Sequence, residues 1–168
     1  MPPRIYFVVT KNLLDHNRFG ELASSTTSSF GRKVAHRWGI MAAEHYYGRF
    51  KQFSAGGGNW APKKSFSVSP LILRDTDSLL EALNPRNVAA PGRLHDIKPF
   101  EARVGFGGGA SHPKARMSIA KLADIHNSGK GVTKRPIITP LPRHVRERMI
   151  EMTMKQLRIL ERRTVRRD

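Results

Sequence analysis

An α+β fold, with a small antiparallel sheet packed against two long helices and with extended loops and arms, follows from three features of the sequence. The run Ile5-Tyr6-Phe7-Val8-Val9 is β-branched and aromatic, and Glu101–Phe106 alternates polar with apolar residues, both marks of strands. From Phe30 to Phe53 the apolar residues recur at helical spacing. A second helical pattern runs from Pro142 towards the C-terminus.

Taken in order, the first strand is bounded by Pro2-Pro3 before it and Lys11-Asn12 after it. Ala23–Ser29 is almost entirely Ser and Thr, residues that compete for backbone hydrogen bonds and favour caps and turns. In the first long helix, Phe30, Val34, Trp38 and Met41 share a face. Gly31, Gly39 and Gly48 lie inside it at a cost of about 1 kcal/mol each against alanine. That cost predicts close helix packing or a kink at these positions. Ser54–Asn59 ends the helix in a glycine loop, and Trp60 after it reads as an apolar anchor.

Pro70–Leu73 reads as a short strand or turn, followed by a short helix, Leu79–Leu83, with Thr76 or Asp77 as its cap. Asn84-Pro85 closes that helix. Val88–Ile97 is ambiguous, with a turn at Pro91-Gly92, and Gly105–Ala110 reads as a hinge between strand and helix. Ile119–Ser128 forms a third helix that Gly129 ends in the left-handed conformation. Lys130–Arg135 is a loop with three cations and no anion. Pro142 suits the first turn of the final helix, where its missing N–H costs nothing. There Val145, Met149, Met152, Ile159 and Leu160 form one face, widened by Ile150, Met154 and Leu157. A face so wide needs the rest of the chain, or another subunit, to cover it.

The 168 residues suit one domain with arms: an N-terminal strand and Ser/Thr-rich lead over 1–29, a main unit over 30–160 and a basic tail over 161–168. No apolar run is long enough to span a bilayer, so no membrane partner is expected. Without cysteine there is neither a disulfide nor a thiolate ligand. Charge dominates: 30 Lys and Arg against 13 Asp and Glu give +17 at neutral pH. That surplus suits a polyanionic neighbour, with nucleic acid first among them. The candidate contacts to DNA or an acidic partner are Lys63, Lys64, Lys114, Arg116, Lys130, Lys134, Arg135, Arg162, Arg163, Arg166 and Arg167.

No catalytic pattern stands out. The loop Gly56-Gly57-Gly58-Asn59-Trp60 lacks the lysine that a phosphate-binding loop places after its last glycine. Gly105–Ala110 has the spacing of a dinucleotide fingerprint, but Ser111-His112-Pro113 stands where a helix should open. No H-E-x-x-H or G-x-S-x-G occurs. Asp124 and His126, two apart on a helix, point away from each other, and His126 near the helix end is expected to bond a backbone group. On this reading the protein is not an enzyme and holds no cofactor or metal.

Several separated pieces together resemble one family. They are a helix ending at Phe53, a glycine loop, Trp60 and a Pro/Lys loop, then Leu71-Ile72-Leu73-Arg74-Asp75-Thr76-Asp77-Ser78-Leu79. A strand ending Val104-Gly105, the segment Leu122-Ala123-Asp124-Ile125-His126-Asn127-Ser128-Gly129, a Lys134-Arg135-Pro136 turn and a closing helix complete the series. Their order resembles the Mu-type phage virion morphogenesis (G protein) family of tail-completion and neck proteins, over roughly Phe30–Leu160. Asp77 departs from that family's usual glycine, and Ile137 from its usual aromatic residue.

The resemblance implies a structural virion protein, assembled in the host cytoplasm. It would form a ring, commonly a hexamer, at the head–tail junction or tail end, as a neck, tail-completion or tail-terminator subunit. Its partners would be other copies of itself and phage neck, portal-adaptor and tail-tube proteins, with non-specific contact to genomic DNA passing through. That reading predicts that the loops Ser54–Ser69 and Gly107–Lys114 order only against neighbours. It also predicts exposed apolar area on the last helix. The alternative is a free, basic nucleic-acid-binding architectural protein.

Overall fold

A computed structural model describes residues 4–10, 28–60, 73 and 76–165. The Ser/Thr-rich stretch up to residue 27, the segment 70–72 and the second half of the loop after Trp60 lie outside these residues. Among the described residues the fold is α+β, with a three-stranded antiparallel sheet. Strand β1 (Ile5–Thr10) leads to helix α1 (Ser28–Ser54) and the short α2 (Ser78–Leu83). Strands β2 (Arg93–Lys98) and β3 (Glu101–Phe106) follow, then α3 (Ile119–Ser128) and α4 (Arg143–Val165).

The sheet order is β1-β3-β2, so the last strand in sequence is central. Phe7 and His95 both oppose Val104, and Val9 and Ile97 both oppose Ala102. Period-two alternation therefore turns Ala102, Val104 and Phe106 inward, where all three are buried. The first strand belongs to this sheet rather than to a separate lead, since Val9 is wholly buried in the common core. At the other end α4 continues to Val165, beyond the boundary expected at 160.

The ambiguous stretch before Glu101 resolves as β2, joined to β3 by a two-residue turn. Proline fixes φ at Pro99, and Phe100 takes φ 55°, a conformation usually left to glycine. Two contacts hold it there. The Phe100 amide donates to the Gly31 carbonyl at 3.1 Å, and the Phe100 ring lies over Gly31. A Cβ on Gly31 would stand 2.7 Å from that ring. Gly39 gives the same close approach to His95, where a Cβ would meet the imidazole at 2.9 Å. Two of the three helix glycines thus bring the sheet against α1 without a break in the helix. Gly48 faces open space and has no such role.

The two long helices do not both lie on the sheet. Helix α1 packs on all three strands, whereas α4 packs chiefly on α1. The buried face of α1 is accordingly wider than the Phe30–Met41 stripe, and includes Ala35, Ala42, Ala43, Tyr46 and Phe50. Trp60 is the expected anchor, edge-on to Phe50 and Phe53 at 5.2 and 5.7 Å between centroids.

Three local expectations are corrected. Asp77 occupies the cap position of α2 in a left-handed conformation and makes no side-chain cap bond, while Thr76 Oγ1 engages Ser78 Oγ and His112 Nε2. Pro142 stands just before α4, where its carbonyl accepts from the Arg146 amide at 3.2 Å. Gly107–Lys114, expected to take its order from neighbouring proteins, also makes bonds within the chain. The Gly107 amide donates to Gly92 O at 2.9 Å, and Ser111 bridges Ser118, which caps α3 by accepting from the Lys121 amide.

Candidate functional site

The α3–α4 connection is irregular backbone held from several sides. Gly129 ends α3 at φ 81°, with its amide on Ile125 O at 2.8 Å. Asn127 Oδ1 then accepts from the amides of both Ile137 and Ile138, at 2.8 and 2.9 Å. Trp60 Nε1 donates to Pro136 O at 3.4 Å. The Tyr46 hydroxyl donates to Thr139 O at 2.5 Å, and Arg49 donates to Thr139 Oγ1. Burial keeps the Tyr46 phenol un-ionised, with its pKa pushed well above the usual tyrosine range. Side chains from α1, the glycine loop and α3 therefore satisfy the backbone of a segment whose Ile137, Ile138 and Leu141 sit in the core.

That tether fixes where the cationic loop projects. Lys130 and Lys134 are exposed at its two ends, with Val132 40% exposed between them. Lys130 reaches Asp124 at 3.9 Å, a solvated pair worth little. Arg135 departs from the expected set. It is only 8% exposed, and its amide donates to His126 O at 2.8 Å, so it braces the loop instead of facing a partner. Lys114 and Arg116 are exposed on the loop between β3 and α3, and Arg162 is exposed on α4. Lys63, Lys64, Arg166, Arg167 and the side chain of Arg163 lie outside the described residues. The described cations are thus spread over two loops and a helix end instead of forming one cluster.

The histidines are mostly built into the fold. His112 Nδ1 accepts from the Lys114 and Ala115 amides at 3.2 and 3.0 Å. This places the proton on Nε2, which faces Thr76 Oγ1 at 2.8 Å. His126 does not bond the backbone through its ring as expected, because among the described residues its buried Nδ1 has no hydrogen-bond partner. Burial, and then the nearby Arg135 charge, depress its pKa to about 4. His95 is likewise pushed down to about 4 by burial, then by Arg93 and His36. His45 is lowered by burial, Arg49 and His144. His126, His112 and Lys114 line a cavity of about 230 Å³ whose other walls are largely leucine. Among the described residues no three His, Asp or Glu side chains are placed to hold a metal ion.

Helix α4 presents the other notable surface. Met149, Thr153 and Leu157, spaced at i, i+4 and i+8, form its buried stripe. The stripe differs from the expected one in having a polar centre. Thr153 Oγ1 accepts from Trp38 Nε1 at 2.9 Å and donates to Met149 O at 2.8 Å, both bonds being buried. Ile159, assigned from the sequence to the buried face, is 38% exposed, and Val145, Ile150, Met152, Met154 and Leu160 are only half-buried. Ile150 and Met154 line an open groove of about 600 Å³ with Glu147, Arg148 and Glu151. The i,i+4 pair formed is Arg143–Glu147 at 2.6 Å, in place of the Glu151–Lys155 pair that the spacing allows.

Reasoning from the sequence missed Thr153, Asn127, Tyr46 and Thr139, because each acts through a bond to a distant partner. It also passed over Arg32, Lys33 and Arg37, whose position on a helix gave them no distinction from other surface cations. The chain matches no family model, no curated protein and no solved structure.

Proposed function

We propose that the chain is a structural virion protein. Copies of it would close into a ring at a phage head–tail junction or tail end, joining tail to head and letting DNA pass. The observation that carries this reading is α4. Its apolar residues extend well past the stripe that α1 covers, and they flank an open groove edged by charges of both signs. A surface of that kind suits a protein partner, because covering the exposed part of its methionine and isoleucine side chains removes apolar area from water. The +17 charge suits a setting beside DNA that must slide, where contacts to phosphate position without reading sequence.

Light-scattering mass and negative-stain imaging of the purified chain test the reading. The expected result is a ring of several copies, alone or on mixing with phage neck, portal-adaptor or tail-tube proteins. A strict monomer under both conditions overturns it. The charge also favours a free architectural protein on nucleic acid. That alternative predicts a monomer that binds duplex tightly with a steep salt dependence.

A further inference from the structure

We infer that the outer face of the first turns of α1, carrying Arg32, Lys33 and Arg37, is a docking ridge for the phosphate backbone of nucleic acid. The inference needs only the single subunit and does not rest on ring formation.

The first support is what these side chains do not do. Arg32, Lys33 and Arg37 are exposed, while Gly31, Val34, Ala35 and Trp38 on the opposite side of the same turns are buried. None of the three makes a hydrogen bond, ion pair or ring contact with another described residue, in contrast to Arg49, Arg93, Arg103 and Arg143. No acidic residue stands on α1 before Glu44, and none lies in its first turn.

The fold holds them there at a cost. Lys33 and Arg37 form a like-charge i,i+4 pair, which destabilises a helix. Cations placed as like-charge neighbours, with no partner among the described residues, have their compensation outside the fold.

The backbone beneath them is closely packed. Gly31 and Gly39 seat these turns on the β2–β3 hairpin, with the Phe100 amide on Gly31 O and the His36 ring edge-on to His95 at 5.8 Å between centroids. A closely packed helix presenting three adjacent cations, with no base-reading device among them, suits regularly spaced phosphates and not a particular sequence. Lys130 differs in having Asp124 within 3.9 Å, though that pair is solvated.

Fluorescence anisotropy of the full chain with two short DNA duplexes of unrelated sequence, titrated across a range of salt, tests the ridge. The triple variant Arg32→Gln/Lys33→Gln/Arg37→Gln is expected to weaken both duplexes equally. It should also reduce the slope of log affinity against log salt by about 2.7, or about 0.9 for each phosphate left without its cation. The pair Lys130→Gln/Lys134→Gln should change the slope less. The triple variant should melt no lower than the parent, because it removes a like-charge pair from a solvent-facing helix end. Arg37→Gln alone gives the same test with a slope change of about 0.9. An unchanged slope in either variant overturns the inference. So does a loss confined to vesicles containing phosphatidylserine, with duplex binding intact. A mass measurement on the same samples keeps this outcome separate from ring formation: a monomer that binds through the ridge supports the ridge whether or not copies close into a ring with other proteins present.

Discussion

Helix α1 has a different neighbour on each side, and the contrast between them separates fold from candidate function. On the sheet side packing is close, with Gly31 and Gly39 removing the side chains that would otherwise hold the strands away. Val9, Ala102, Val104 and Phe106 are all buried there. On the α4 side the seam narrows to Met149, Thr153 and Leu157, with the Trp38–Thr153 hydrogen bond at its centre. The sheet side is finished within one chain. The α4 side leaves half-covered methionine and isoleucine, which the proposed contact between copies would complete.

The sharpest way to break this contrast is Trp38→Ala, which empties a fully buried site and also removes the bond to Thr153. A loss of about 3–5 kcal/mol is expected in urea unfolding. Gly39→Val tests the sheet side alone. Its side chain would meet the His95 ring, and overpacking should cost about 1–3 kcal/mol. Thr153→Val tests the α4 side alone. It keeps the shape but strands the buried Trp38 N–H, and a loss of about 1–2 kcal/mol is expected. If Thr153→Val proves neutral, the seam is held by packing and not by the bond.

Acid should act on the sheet side, where His95 and His126 both lie. His95, beneath Gly39, and His126, in α3, have folded pKa values near 4, below the unfolded value of about 6.5. The unfolded chain therefore takes up protons first, and stability falls as pH drops from about 6.5 towards 4. Urea midpoints at a series of pH values should show the decline, and His126→Asn should flatten it. The smallest effect on stability is expected for Met154→Ser, half-buried on the open groove, about 1 kcal/mol or less. Sedimentation of the same variant should show weakened self-association if that groove is where copies meet.

Much of the fold was legible because it depends on local periodicity. The β-branched run Ile5–Val9, the alternation in Glu101–Phe106 and the glycine stop at Gly129 each carry their own signal. Strand β2 was not legible, because Arg-Leu-His-Asp-Ile-Lys has a polar inward edge: Arg93 and His95 take inward positions. Arg93 is accommodated there by the carbonyls of Asn84 and Asn87, which nothing near it in sequence announces. The candidate surfaces were legible only as composition. Three lysines and an arginine looked alike in the connection and its neighbouring loop until burial set Arg135 apart from Lys114, Lys130 and Lys134.

By itself, then, the sequence determined the kinds of element, the close approach that glycine permits on α1 and the excess of positive charge, since these rest on residue type and spacing. The tertiary structure alone decided that α4 lies on α1 instead of on the sheet. It alone made Thr153 the centre of that seam and Asn127 the clamp on the crossing strap. Such pairings join positions far apart in the chain, and which partner satisfies a polar group is set by the packing of whole elements, not by the residues beside it.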